Sequence, residues 1–216
     1  MARNILITGG EGQLGKALHQ NLKDKYNVIS TSRIISKAKS SNNISNLDIT
    51  VKSAVESSIH KINPDIIINC AAYTDVDGSE NDKSKAQKVN VLGLQNIINA
   101  SNKRTYLIQI SSDYVFNGKE GPYTEEDHTF PVNYYGKTKL EAENILRGSR
   151  RKYLIIRTNV LYSEDLFCKG NFFAWVYKSL IKNQSIYVVN DQISNPTYVL
   201  HLVQAIFKCI ILNTKG

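Results

Sequence analysis

Two short segments of this chain carry residue types that could do chemistry together: Tyr135-Gly136-Lys137-Thr138-Lys139 and, shortly before it, Ser111-Ser112-Asp113. Residues four apart in a helix share a face, so Tyr135 and Lys139 would both point at one ligand. A tyrosine hydroxyl titrates near pH ~10, and an ammonium beside it favours the phenolate, which brings the group towards proton transfer near neutral pH. Tyr135 would then protonate a carbonyl oxygen whose carbon receives a hydride. Ser112 falls just past a predicted strand, at the carboxyl end where open α/β sheets bind ligands, and would hydrogen-bond the same oxygen. Each motif alone has an ordinary reading, a solvated helix face for the first and a turn for the second. It is their co-occurrence in this order that points to a redox enzyme.

A hydride needs a carrier, and Thr8-Gly9-Gly10-Glu11-Gly12-Gln13-Leu14-Gly15 offers a place for one. It follows the apolar run 4–8 and leads into 13–22, which has helical periodicity, giving the order strand, tight turn, helix. Gly9 would make the turn, Gly12 would let the backbone approach a pyrophosphate, and Gly15 would let the helix pack closely on the sheet. Gln13 and Leu14 open the helix whose N-terminus would face the phosphate charge. The first gap between glycines is one residue longer than in the usual dinucleotide fingerprint. The next strand ends in Ser32-Arg33 with no Asp or Glu to bind a ribose 2′-hydroxyl, whereas Arg33 suits a 2′-phosphate. NADPH is therefore the expected cofactor, with NADH left open.

The elements that must position these groups alternate. Strands are predicted at 4–8, 27–31, a short one ending at Leu47-Asp48, 64–69, 106–110 and 153–157. Between them lie helical patterns at 13–22, 51–61, 83–102 and 135–146, with a Ser/Asn-rich polar loop over 36–46. That rhythm implies a parallel sheet covered on both faces, a doubly wound Rossmann α/β fold. After residue 161 it loosens into a helix at 172–182, a strand candidate at 186–189, a polar turn at 190–196 and a last helix from Val199. The expected division is a dinucleotide-binding domain over 1–160 and a small, partial substrate-binding region over 161–216.

Composition narrows the function classes. The 216 residues, 42% hydrophobic, suffice for one large core. The formal charge of +8 reflects 27 basic against 19 acidic residues, concentrated at Arg33, Lys37 and Lys39 and at Arg147, Arg150, Arg151 and Lys152. Without interleaved aromatics or a nucleic-acid motif, these clusters read as solvated faces biased towards small anions, with no nucleic-acid partner. Cys70, Cys168 and Cys209 are scattered, and His19, His60, His128 and His201 show no ligand spacing, so no disulfide framework and no metal are expected. No apolar run approaches the ~20 residues a membrane span needs, and the first residues do not open a secretory signal. A cytoplasmic protein is expected.

The chain resembles the extended short-chain dehydrogenase/reductases that act on nucleotide sugars, through the glycine set, Asn69-Cys70-Ala71-Ala72, Ser112 and Tyr135-x-x-x-Lys139. Within them it is most similar to the dTDP-4-dehydrorhamnose reductase family. The matching segments are 71–77, Ser111-Ser112-Asp113-Tyr114-Val115-Phe116, 133–140, and Asn190-Asp191-Gln192 with Asn195-Pro196-Thr197. The resemblance implies a catalytic trio of Ser112, Tyr135 and Lys139, with Lys139 also gripping the nicotinamide ribose. It places Ala71, Ala72 and Tyr73 along the cofactor, Asp48 near the adenine, and Ser112, Asp113 and Tyr135 against the substrate. The implied reaction is hydride delivery to the C4 ketone of a dTDP-6-deoxyhexose. Two other readings stay open: a nucleotide-sugar epimerase or dehydratase with retained NAD, and a non-catalytic subunit similar to the regulatory β subunit of methionine adenosyltransferase. A homodimer is also left open.

The chain departs from that family at Asn159-Val160-Leu161, where relatives carry an aromatic wall beside the sugar, and at Ser194-Asn195, where a Gly-Ala pair is frequent. Family members also continue well beyond this length into a substrate lobe. An open sugar pocket and some exposed apolar surface on the last helix are the expected consequences.

Overall fold

In β1 (Asn4–Thr8), Ile5 and Ile7 point to one side and Leu6 to the other, and all three are fully buried. A strand apolar on both faces needs a layer on each side, and that requirement organises the rest. This computed structural model describes residues 2–33, 44–165 and 172–216. The sheet contains β1, β2 (Asn27–Ser32), β3 (Ile44–Asn46), β4 (Ile66–Asn69), β5 (Tyr106–Ser112) and β6 (Lys152–Thr158), all parallel, in the order β3-β2-β1-β4-β5-β6. The order reverses between β1 and β4, which makes the crevice beyond their carboxyl ends the expected ligand site.

Against one face lie α1 (Gln13–Leu22) and α8 (Val199–Leu212), packing on Ile5, Ile7, Ile66, Ile68 and Ile108. Against the other lie α2 (Lys52–Ile62), α5 (Gly93–Ala100) and α6 (Tyr134–Gly148), packing on Leu6, Ile67 and Leu107. α8 buries Val199, Leu202, Val203, Ile206 and Ile210 in the core of the main sheet, though it comes from the region expected to serve the substrate. Each such side chain contributes about 1.5–3 kcal/mol before entropy is counted. The expected exposed apolar surface on the last helix is there at Leu200, Ile211 and Leu212, and α7 (Phe172–Ile181) exposes more, at Phe172, Phe173, Trp175, Tyr177, Leu180 and Ile181.

The Rossmann architecture matches the sequence reading, with local differences. The long helix expected over 83–102 is α4 (Lys83–Gln87), a π-helical turn (Lys88–Leu92) and α5, and an unforeseen short helix, α3 (Val76–Asn81), precedes it. Asp75 and Asp82 cap α3 and α4 by accepting from Gly78 N and Lys85 N. β3 stops at Asn46, because Asp48 instead accepts from the backbone N and hydroxyl of Thr50 at 2.9 and 2.7 Å, closing a turn. The candidate strand at 186–189 is no strand: no described strand pairs with it and Tyr187 is fully exposed. A two-residue parallel pair forms instead between β7 (Leu161–Tyr162) and β8 (Thr197–Tyr198). Residues 36–43 of the polar loop, with Lys37, Lys39 and Cys168, lie outside the described residues.

In the second basic cluster Arg147 and Arg150 are exposed, as expected, whereas Arg151 and Lys152 are half-buried. Arg147 pairs with Glu143, Arg151 donates to the Ile98 carbonyl at 3.0 Å, and the Lys152 ammonium donates to Asn213 Oδ1 and lies 4.3 Å over the Tyr106 ring. These side chains tie helix ends and the β6 edge to the core.

α6 starts where Asn133 caps it, its side chain accepting from Gly136 N at 2.7 Å. A Cβ added at Gly136 would fall 2.1 Å from the Tyr114 carbonyl oxygen, so only glycine lets this first turn lie on the 3-10 turn Asp113–Val115. At Gly148, the end of the same helix, an added Cβ meets nothing within 4 Å. Gly136→Ala is expected to lose about 1–3 kcal/mol of stability in denaturant titration, as overpacked sites do, whereas Gly148→Ala changes it by less than about 1 kcal/mol. Equal effects of the two substitutions would contradict this account of α6.

Candidate active site

The glycine loop is built from close backbone approaches. Gly9 has φ +68°, and a Cβ there would sit 2.7 Å from Ala71 N and 2.8 Å from the Cys70 carbonyl, so the turn presses on the segment leaving β4. Gly12 N donates to Gly9 O at 2.9 Å, and Gly10 N to Thr31 O at 2.8 Å beside β2. A Cβ at Gly15 would lie 2.4 Å from Gly9 O, so this glycine serves the packing of α1 on its own loop rather than on the sheet. No side chain caps α1 at Gly12 and no acidic residue stands in its first turn, which leaves its N-terminal amides for an anion. Leu14 is buried in the core and the Gln13 side chain donates to Ser163 Oγ at 2.7 Å, so both can face a phosphate only through their backbone. This cradle fits a dinucleotide pyrophosphate.

The other expected cofactor residues surround the same crevice. Arg33 is exposed at the end of β2. Burial works to raise the Asp48 pKa, but the Thr50 hydrogen bonds and the charges of Arg33 and Lys88 outweigh it and hold the carboxyl below its usual range. Arg33 and Asp48 therefore share one neighbourhood. Beyond β4, Ala71, Ala72 and Tyr73 form the loop that faces Gly9. The Asn90 side chain holds it, accepting from Tyr73 N at 2.8 Å and donating to Tyr73 O at 3.1 Å and Thr138 Oγ1 at 2.9 Å. Asn90 sits in the π turn and is 4% exposed, so a helical irregularity joins the cofactor loop to α6.

Ser112 is the last residue of β5 rather than just beyond it. Its hydroxyl donates to Asp113 Oδ1 at 3.0 Å and accepts from Tyr114 N at 3.2 Å. Tyr135 lies in the first turn of α6, with the Tyr114 ring edge-on at 5.7 Å. Burial pushes its hydroxyl up to about 12, a hydrogen bond with Ser112 pulls it down, and Asp113 and Tyr114 push it further up. Burial also raises the Asp113 carboxyl, against hydrogen bonds from Ser112 and the backbone. Lys139 is 3% exposed and its ammonium donates to the Ile110 carbonyl at 2.6 Å. Burial lowers it to about 8, opposed by Glu143 and Cys70. The expectation that Lys139 would draw Tyr135 towards the phenolate is thus corrected: the ammonium is engaged by Ile110, and desolvation keeps Tyr135 a neutral phenol. A phenol is the form that donates a proton.

Ser112, Asp113, Tyr135 and Lys139 are brought together at one end of β5, next to the loop after β4. Sequence reasoning missed Gly136, Asn90 and Glu143. Glu143 could have been found, since it continues the stripe 135, 139, 143 by one further turn; Asn90 carried no such signal. Among the described residues, no group of three or more His, Cys, Asp and Glu could hold a metal ion, and no helix is long and apolar enough to cross a membrane.

Comparison with known proteins places the chain in a family. Residues 3–215 match the family model described as the RmlD substrate binding domain. The chain is 41% identical over 203 residues to a dTDP-4-dehydrorhamnose reductase of Aggregatibacter actinomycetemcomitans, covering 92% of this chain and 64% of that protein. It is 36% identical to the reductase of the same name from Salmonella typhimurium, covering 90% of this chain and 62% of the relative. It thus spans a little under two thirds of the length of these curated relatives. Among solved structures, the Bacillus anthracis dTDP-4-dehydrorhamnose reductase in complex with NADP superposes with a TM-score of 0.89 at 35% identity, covering 100% of this chain and 73% of that one. A Thermus thermophilus UDP-glucose 4-epimerase, with a TM-score of 0.82 at 19% identity over 95% of this chain and 74% of its own, shares the fold alone. The chain belongs to the RmlD substrate binding domain family.

Proposed function

We propose that this protein reduces the C4 ketone of a dTDP-6-deoxyhexose with NADPH, the dTDP-4-dehydrorhamnose reductase reaction of dTDP-rhamnose biosynthesis. The observation that carries the reading is the convergence of Ser112, Tyr135 and Lys139 at the carboxyl end of β5, on the same edge of the parallel sheet as the uncapped N-terminus of α1. The names of its relatives and the NADP bound by the Bacillus anthracis structure support it. The cytoplasm is the compartment in which we place it, and a homodimer is compatible with this reading.

The glycine cradle would hold the pyrophosphate, Arg33 the 2′-phosphate, and Ala71, Ala72, Tyr73 and Lys139 the nicotinamide half. When bound, the reduced nicotinamide supplies the hydride. Ser112 then hydrogen-bonds the ketone oxygen and orients it, while Tyr135 gives that oxygen its phenolic proton as negative charge develops there. Asp113 stands at the substrate side of the same turn. The Lys139 ammonium, held on the Ile110 carbonyl one helical turn from Tyr135, would bind the nicotinamide ribose.

Three outcomes follow. In an assay of NADPH consumption with a dTDP-4-keto-6-deoxy-L-hexose, Tyr135→Phe loses about 10²–10⁴ in turnover while still binding NADPH; turnover in the variant equal to that of the parent, or none from a folded, NADPH-binding parent, contradicts the assignment. Arg33→Ala lowers the preference for NADPH over NADH by about tenfold or more, because the 2′-phosphate loses its guanidinium partner; an unchanged ratio of dissociation constants removes Arg33 from the site. The Lys139 ammonium is present below about pH 8 and lost above it, whereas Tyr135 stays protonated to about 12. Reduction should therefore fall as pH rises through about 8, and a profile flat to pH ~10 would show that the Lys139 charge is not required.

A further inference from the structure

Glu143 is the most completely buried charged residue of α6, with 0% exposure, and it lies one helical turn beyond Lys139. Its Oε1 accepts from Ser111 Oγ at 2.6 Å and Arg157 Nε at 3.0 Å. Its Oε2 accepts from Arg157 Nη2 at 2.7 Å and pairs with Arg147 Nη2 at 3.1 Å. Four donors thus fill the roughly four acceptor positions of a carboxylate. They come from β5, β6 and α6, so one side chain fixes the helix to two strand ends. Ser111 lies between Ile110, whose carbonyl holds Lys139, and Ser112. The Arg157 guanidinium also lies 5.0 Å from the Phe116 ring, which stacks on Tyr123 at 4.4 Å, so the clamp extends to the loop that follows Ser112.

We propose that Glu143 is a positioning residue for the reduction site: its carboxylate clamps α6 to the ends of β5 and β6, fixing Lys139 on the Ile110 carbonyl and Tyr135 against Ser112. This rests on the reductase reading above. A buried ion pair is weak evidence for stability, since apolar residues of similar volume often serve as well. What a carboxylate supplies here is directed acceptors on Ser111 and Arg157, and a negative charge one turn from a buried ammonium. The titratable groups that act on Lys139 are Glu143 on its own helix and Cys70 just after β4; the charged groups that act on Glu143 are Arg157 and Arg147. Glu143 and Cys70 are the groups that favour the charged lysine against burial, and with the Cys70 thiol itself pushed up to about 12, Glu143 is the one ionised near neutral pH.

The test is the pH profile of Glu143→Gln, which keeps the volume and loses the charge. The alkaline limb of kcat/KM should move to lower pH by about one unit, with turnover recovered on acidification. A limb that stays in place while only thermal stability falls would mean a structural residue and overturn the proposal. NADPH affinity as a function of pH, read by fluorescence, is the companion measurement. If the parent binds NADPH but turns nothing over, the reductase reading fails, and the same acid shift in binding still tests Glu143; an unshifted binding curve overturns it. Should Glu143→Gln not fold, Ser111→Ala removes one anchor without stranding a buried charge. It should lower kcat several-fold at unchanged NADPH affinity, and an unchanged kcat would overturn the clamp.

Discussion

A lysine ammonium 3% exposed among apolar strands must be compensated, and much of this site is the compensation. The Lys139 ammonium donates to the Ile110 carbonyl at 2.6 Å. That bond requires the helix to lie close on the end of β5, which requires glycine at 136, where even a methyl group would meet the Tyr114 carbonyl. It also requires the helix not to slide, and Glu143 resists sliding through Ser111 and Arg157. The buried stripe of α6 is accordingly Tyr135, Thr138, Lys139, Ala142, Glu143 and Leu146, a core face that is mostly polar.

The sheet continues this polar order to the cofactor side. Thr8, Asn69 and Gln109 are neighbours in register across β1, β4 and β5. Thr8 Oγ1 donates to Asn69 Oδ1 at 2.5 Å, and Asn69 Nδ2 to Gln109 Oε1 at 2.7 Å, a buried ladder just below the loops that leave β1 and β4. Apolar side chains here would pack, but would not fix the loop ends in register with one another. The Thr8 hydroxyl also accepts from Ala71 N at 3.4 Å, so the ladder touches the cofactor loop directly. The chemistry at the crevice is thus held by directed bonds over an apolar core, with rigidity concentrated where the sheet order reverses.

Much of this was legible in the sequence because it rests on local rules. The strand β1, the helix α1 and the glycines between them follow from apolar run, turn and period, and the spacing of Tyr135 and Lys139 survives intact in α6. What was not legible depends on partners distant in the chain. The π turn at Lys88–Leu92 shows no breaker residue, and Asn90 earns its burial only through Tyr73 and Thr138. The run 186–189 has strand composition, but a strand exists only where a neighbour supplies hydrogen bonds, and none of the described strands does. The effect of Lys139 on Tyr135 was misjudged for the same reason: helical spacing places the two groups on one face, while the Ile110 carbonyl and desolvation decide their protonation.

On the proposed reading, this constellation brings a hydride to a sugar carbonyl carbon and a proton from Tyr135 to its oxygen. The most direct measurement is the fate of the label when the protein is supplied with NADPH carrying deuterium at the transferable position of the nicotinamide and a dTDP-4-keto-6-deoxy-L-hexose. The account predicts deuterium at C4 of the product hexose with stoichiometric oxidation of the cofactor. A product without deuterium at C4, or a sugar interconverted while the cofactor is retained unchanged, would contradict it.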